Sequence, residues 1–184
     1  ADDLLLPSPA QLRPEDAARL DALYARLAGQ CPTSIGYPCN QLFDYSPLYR
    51  FLEFSVNNVG DPVSGSNYRM NTHEFEREVI AHFAHLTGIP ENTCWGYVTN
   101  GGTEGNMYGL YLARELFPDG IAYFSEDTHY SVSKSLRLQH TRNIMIRSQP
   151  SGEIDYRDLE ESIRIHRDAP PIIFANVGTT MKGA

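Results

Sequence analysis

The stretch Tyr97-Val-Thr-Asn-Gly-Gly-Thr-Glu-Gly-Asn106 gathers the residue types that hold a small anion. An apolar run from Cys94 to Val98 stops at Gly101 and Gly102, and a helix-compatible run continues from Glu104 through Met107, Leu110 and Tyr111 to Leu116. The pattern predicts a strand, a tight turn and a helix start. Gly101 and Gly102 let backbone amides approach a ligand without a Cβ in the way, and Thr103 is a favoured N-cap that also offers a hydroxyl. The first turn of a helix carries unpaired N–H groups and a partial positive charge, which together attract a phosphate. An ordinary capped helix after a strand has the same local pattern, so this stretch alone leaves both readings open. GxxxxGK followed by Ser or Thr is absent, and the glycines at 101, 102 and 105 do not form GxGxxG, so neither nucleotide motif describes the turn.

Two further polar clusters follow predicted strands: Asp127-Thr-His129 and Gly178-Thr-Thr180. In a parallel α/β sheet the ligand lies beyond the carboxyl ends of the strands, so turn, imidazole and hydroxyls converge on one crevice. His82 and His85 stand three residues apart on a predicted helix, but no third ligand accompanies them and no metal site is expected. His73, His140 and His166 read as surface residues.

The elements that must position these clusters follow from periodicity. Pro14 at a first helical position, Glu15 and Asp16 in the first turn, and a stripe of Ala17, Leu20, Tyr24 and Leu27 predict a helix that Gly29 ends. An extended arm with Ile35, Tyr37 and Pro38 comes next, then a short helix from Ser46 to Phe54 and a long polar loop through residues 57–68. Thr72 caps a helix carrying Phe75, Val79, Phe83 and Leu86, which Gly88 and Pro90 terminate. From Cys94 onward, strand-length apolar runs at 94–99, 121–125, 143–147 and 171–177 alternate with helical segments at 104–116, 130–140 and 156–166, the last capped by Asp155. This spacing predicts an α/β region with a mostly parallel sheet flanked by helices over 91–184, preceded by a helical and loop-rich arm over 1–90.

The 184 residues carry a net charge of −8, which argues against nucleic acid or an anionic membrane as the main partner. Three cysteines without CxxC spacing, and no signal peptide, read as reduced packing thiols of a cytoplasmic protein. Lys134 and Lys182 are the only lysines, which limits any mechanism that needs a reactive amine.

The segments WGYVTNGGTEGNMYGLYLARELFPDG, FSEDTHYSVSKS, SGEIDYRDL and PIIFANVGTTMKGA resemble, in order and spacing, the group II pyridoxal-phosphate-dependent amino-acid decarboxylases. The resemblance runs from Ser34 to the end and includes IGYP and FSVNNVGD. It implies a fold-type I enzyme, of which this chain would be the N-terminal arm and an incomplete large domain. It also implies that Gly101, Gly102 and Thr103 hold the phosphate of pyridoxal 5'-phosphate. His129 would stack on the cofactor ring beside the substrate and pass a proton near the reacting carbon, and Thr180 would lie close to the cofactor. Ile35, Tyr37 and Pro38 would approach the active site of a partner subunit in a homodimer or higher homo-oligomer and shape its substrate pocket. The implied reaction is decarboxylation of an L-amino acid, L-histidine giving histamine and CO2, with serine as the alternative substrate. The family's Schiff-base lysine and its pyridine-pairing aspartate follow the GTT strand, beyond Ala184. Lys134 reads as an exposed helix lysine and Lys182 as a surface residue, so these residues alone are expected not to turn over. A non-catalytic binding module that keeps the phosphate turn is the alternative of another class.

Overall fold

Three short apolar segments pair as a parallel sheet in the computed structural model, which describes residues 12–35, 42–90 and 93–184. They are β1 (Ile121–Ser125), β2 (Asn143–Ile146) and β3 (Pro171–Ile173), in the order β2-β1-β3. Ala122 faces Asn143 and Ser125 faces Ile146 on one side of β1, while Ile121 faces Pro171 and Tyr123 faces Ile173 on the other. β1 is central, and all five of its residues are buried. Because successive side chains of a strand point to opposite faces, β1 feeds two cores. Ala122 and Phe124 pack with Leu110 of α3 (Gly102–Leu116), with Val132 and Leu136 of α4 (Tyr130–Leu138), and with Ile172. Ile121 and Tyr123 pack with Ile146 and with Leu159 and Ile163 of α5 (Tyr156–Ile165). The sheet is therefore covered by helices on both faces, as the alternation of elements predicts.

Local chemistry explains most element ends. Asp155 caps α5 by accepting from the amides of Arg157 and Asp158. Gly120 closes the turn into β1, where a Cβ would lie 2.9 Å from both Ile172 Cδ1 and the Phe117 carbonyl. α2 (His73–Leu86) stops before Gly88, whose φ of +71° breaks the helix.

Four expectations need correction. Residues 94–99 form no strand, since no described residue supplies a ladder. Instead, buried Glu76 of α2 takes the Val98 N–H on Oε1 at 2.8 Å. β3 ends at Ile173, short of the 171–177 run, and the chain beyond it bends through Gly178. His73 is not a surface residue but 3% exposed, and its Nε2 has no partner among the described residues. Thr72 occupies the N-cap position of α2 but spends its hydroxyl on Asn58, 2.9 Å from Asn58 Nδ2, while the His73 amide donates to Asn71 Oδ1.

The chain divides into two units, Ala1–Ser55 and Val56–Ala184. In the first, α1 (Pro14–Gln30) begins at the predicted proline, and a 3-10 turn at Cys31–Thr33 follows it. α1 buries none of its residues, and Leu20, Leu23, Tyr24 and Leu27 remain exposed. A second 3-10 segment spans Ser46–Glu53. The second unit contains every other element named above. No helix among the described residues is long and apolar enough to cross a membrane.

Leu136 is 0% exposed at the α4–β1 contact, whereas Leu138, two residues on, is 69% exposed. Leu136→Ala should cost about 2–5 kcal/mol in urea unfolding followed by circular dichroism, and Leu138→Ala well under about 1 kcal/mol. Equal losses would contradict the packing described.

Candidate cofactor and catalytic site

Gly101, not Thr103, is the N-cap residue of α3, with φ +150°, where a side chain would be strained. The amides of Glu104 and Gly105 return to the Gly101 carbonyl at 3.1 and 3.2 Å. Those of Gly102 and Thr103 have no acceptor among the described residues, and both residues are exposed. Nothing lies within 4 Å of a Cβ built on Gly101 or Gly102, so the space before the turn is open. Glu104, three residues after the cap, reaches back: Oε2 accepts the Asn100 N–H at 2.7 Å and Oε1 accepts the Tyr97 hydroxyl at 3.3 Å. The glutamate thus bonds the residue before the cap, one position short of the N-cap amide that a capping box would use. Burial, followed by the neighbouring Glu104 charge, raises the Tyr97 pKa and keeps the phenol a donor. Trp95, Tyr97, Tyr108 and Tyr111 form a chain of ring contacts, with Tyr97 edge-on to Tyr108 at 5.1 Å, that packs the entering segment against α3.

His129 is the N-cap residue of α4. Its Nδ1 lies 2.8 Å from Ser131 Oγ and accepts the Ser131 N–H at 3.3 Å. Asn106, one turn into α3, donates from Nδ2 to the same Ser131 Oγ at 3.3 Å, so a side-chain chain joins the glycine turn to the histidine. The bend before His129 is equally tied. Thr128 Oγ1 accepts the Ser125 N–H at 3.0 Å and the Asn176 Nδ2 at 2.8 Å, and Asn176 belongs to the segment leaving β3. Lys182, beyond Gly178-Thr-Thr180, meets Asp127 Oδ2 at 2.9 Å. Hydrogen bonds from Asn106, Asn176 and Lys182 thus tie the segments that carry the first and third clusters to the Asp127–Ser131 stretch after β1.

Within the third cluster the threonines differ. Thr179 is buried, with its hydroxyl accepting the Ala184 N–H at 3.2 Å, while Thr180 is exposed. Lys182 is exposed, as expected, and also pairs with Asp127, and the Lys134 ammonium stands 4.4 Å from the Tyr130 ring centroid. Ile35 is 98% exposed in the first unit, and Tyr37 and Pro38 lie outside the described residues. The sequence reading missed Glu104, Asn106, Ser131 and Asn176. Glu104 was signalled by its spacing from Gly101; the other three act across elements and leave no local pattern.

The turn fits the phosphate of pyridoxal phosphate: the Gly102 and Thr103 amides have no acceptor among the described residues, the space beside Gly101 and Gly102 is open, and the Glu104 carboxylate is turned back onto Asn100 and Tyr97. The hydrogen bond from Lys182 holds the Asp127 carboxyl below its ordinary value of 3.8. A carboxyl depressed in the folded state stabilises above its unfolded pKa, and that contribution is lost as pH falls through the folded value. Asp127→Asn should therefore lower the urea midpoint at neutral pH, and the gap to wild type should close in acid below 3.8. A gap unchanged in acid would remove the ion pair as its cause.

No family model matches the chain. It is 53% identical over 169 residues to the histidine decarboxylase of Morganella morganii, covering 92% of this chain and 45% of that protein. To the histidine decarboxylase of Mesorhizobium japonicum it is 50% identical over 171 residues, covering 93% and 46%. The chain thus spans just under half the length of these curated relatives. Among solved structures, L-methionine decarboxylase from Streptomyces sp. 590 in its internal aldimine form matches with a TM-score of 0.80 and 26% identity, covering 96% of this chain and 46% of that one. Its complex with 3-methylthiopropylamine gives 0.82 and 27%, covering 99% and 47%. In sequence and fold together the chain is similar to the N-terminal half of amino-acid decarboxylases.

Proposed function

We propose that the full-length protein decarboxylates L-histidine to histamine and CO2 with pyridoxal phosphate as cofactor. The observation that carries this reading is the open donor turn at Gly101–Thr103 joined through Asn106 and Ser131 to His129. Histidine is favoured over other substrates by the names of relatives near 50% identity, against about 27% for the methionine decarboxylase. In the reaction the Cα–carboxylate bond breaks, CO2 departs and Cα takes up a proton. Bound pyridoxal phosphate supplies the electron sink for the pair left at Cα.

The chain's own residues bind, orient and hold a proton. The Gly102 and Thr103 amides and the Thr103 hydroxyl would hold the phosphate, and the partial positive charge of the α3 N-terminus favours it there. His129 would lie against the cofactor ring and offer its imidazole at the reacting carbon. Thr180 would stand at the cofactor's edge. Ile35, Tyr37 and Pro38 would complete the substrate pocket of the second subunit in a homodimer, which sedimentation of the full-length protein at twice its monomer mass tests.

Loaded with pyridoxal phosphate, the full-length protein should release histamine from L-histidine. Product from serine or methionine but not histidine would reassign the substrate, and none from any amino acid would sink the enzyme reading in favour of a binding module. Thr103→Ala should weaken cofactor binding by about tenfold or more, since a hydrogen bond to a charged group is worth roughly 1.5–3 kcal/mol. Thr103→Ser, which keeps the hydroxyl, should restore most of it in an absorbance titration; unaltered affinity in the alanine variant would remove Thr103 from the phosphate site.

A further inference from the structure

We propose that Asn106 and Ser131 are positioning residues that fix His129 as its Nε2–H tautomer. The argument is one of donors and acceptors. A backbone N–H can only donate, so the Ser131 amide, 3.3 Å from His129 Nδ1, requires a lone pair on Nδ1. The Ser131 hydroxyl has one proton. Asn106 Nδ2 donates to Ser131 Oγ at 3.3 Å, which leaves that proton directed at Nδ1, 2.8 Å away. Two donors thus converge on Nδ1, and the single proton of a neutral ring resides on Nε2. His129 Nε2 has no hydrogen-bond partner among the described residues, so its proton is uncommitted within this chain.

Asn106 belongs to the first turns of α3, the helix whose N-terminus forms the glycine turn, so the same element that would seat a phosphate also orients the proton-bearing edge of the histidine. Ser131 is 2% exposed, which shields the relay from water that could supply or take protons at Nδ1. In the decarboxylation proposed above, on which the catalytic part of this inference rests, the uncommitted Nε2–H would be the proton that His129 offers.

Nitrogen-15 NMR of the His129 ring, assigned by its loss in His129→Gln, reads the tautomer in the full-length protein with and without pyridoxal phosphate, at a pH where the ring is neutral. Wild type should show Nε2–H alone. Asn106→Asp, nearly the same in shape, gives the Ser131 hydroxyl a carboxylate to donate to, and should shift the ring toward Nδ1–H. Ser131→Ala should show a tautomer mixture and lower kcat by about tenfold with little change in KM, and Ser131→Thr should restore both. Nδ1–H in wild type, or a tautomer indifferent to Asn106→Asp, would overturn the relay even if the enzyme is active. Nε2–H in a protein that decarboxylates no amino acid would uphold the relay and reject the activity instead.

Discussion

Burial of β1 on both faces is the constraint from which the rest of the second unit follows. All five residues of the strand are enclosed, so it has no side on which to display a polar group. Polar chemistry is displaced to its carboxyl end, where Ser125 gives way at once to Glu126, Asp127, Thr128 and His129. The two cores that enclose the strand also decide which helices meet there. α3 and α4 share one face through Leu110, Val132 and Leu136, and this brings Asn106 to Ser131. Hydrophobic packing therefore sets the distance across which the polar relay operates, and shape rather than charge aligns the site.

Local signals were legible, and signals that depend on distant partners were not. The cap at Asp155, the stop at Gly88 and the fully buried β1 follow from residues within a few positions of one another, and each stands where the sequence places it. The stretch 94–99 has the composition of a strand, but a strand also needs a neighbour. Its Val98 amide goes to a glutamate side chain instead. His73 looked exposed because a histidine at the start of a helix faces water unless another segment folds over it. Here the loop before it returns, with Asn58 bonded to Thr72 and to Glu76 Oε2 at 3.3 Å.

The candidate site divides the same way. Its three clusters were visible as polar residues directly after apolar runs, and the resemblance assigned them a cofactor. The groups that hold them together, Asn106 to Ser131 and Asn176 to Thr128, join residues 25 and 48 positions apart. No periodicity reports such pairs. The cap assignment failed at Thr103 for a related reason: Asn100, Gly101 and Glu104 settle the helix start among themselves, and the threonine is left inside the first turn with its amide free.

Both lysines are engaged by neighbouring side chains. Lys182 is held against Asp127 at 2.9 Å and Lys134 over the Tyr130 ring at 4.4 Å. Each lysine amine among the described residues thus has a partner, a carboxylate for one and an aromatic ring for the other. Thirteen arginines carry the remaining basic charge without offering a condensable amine.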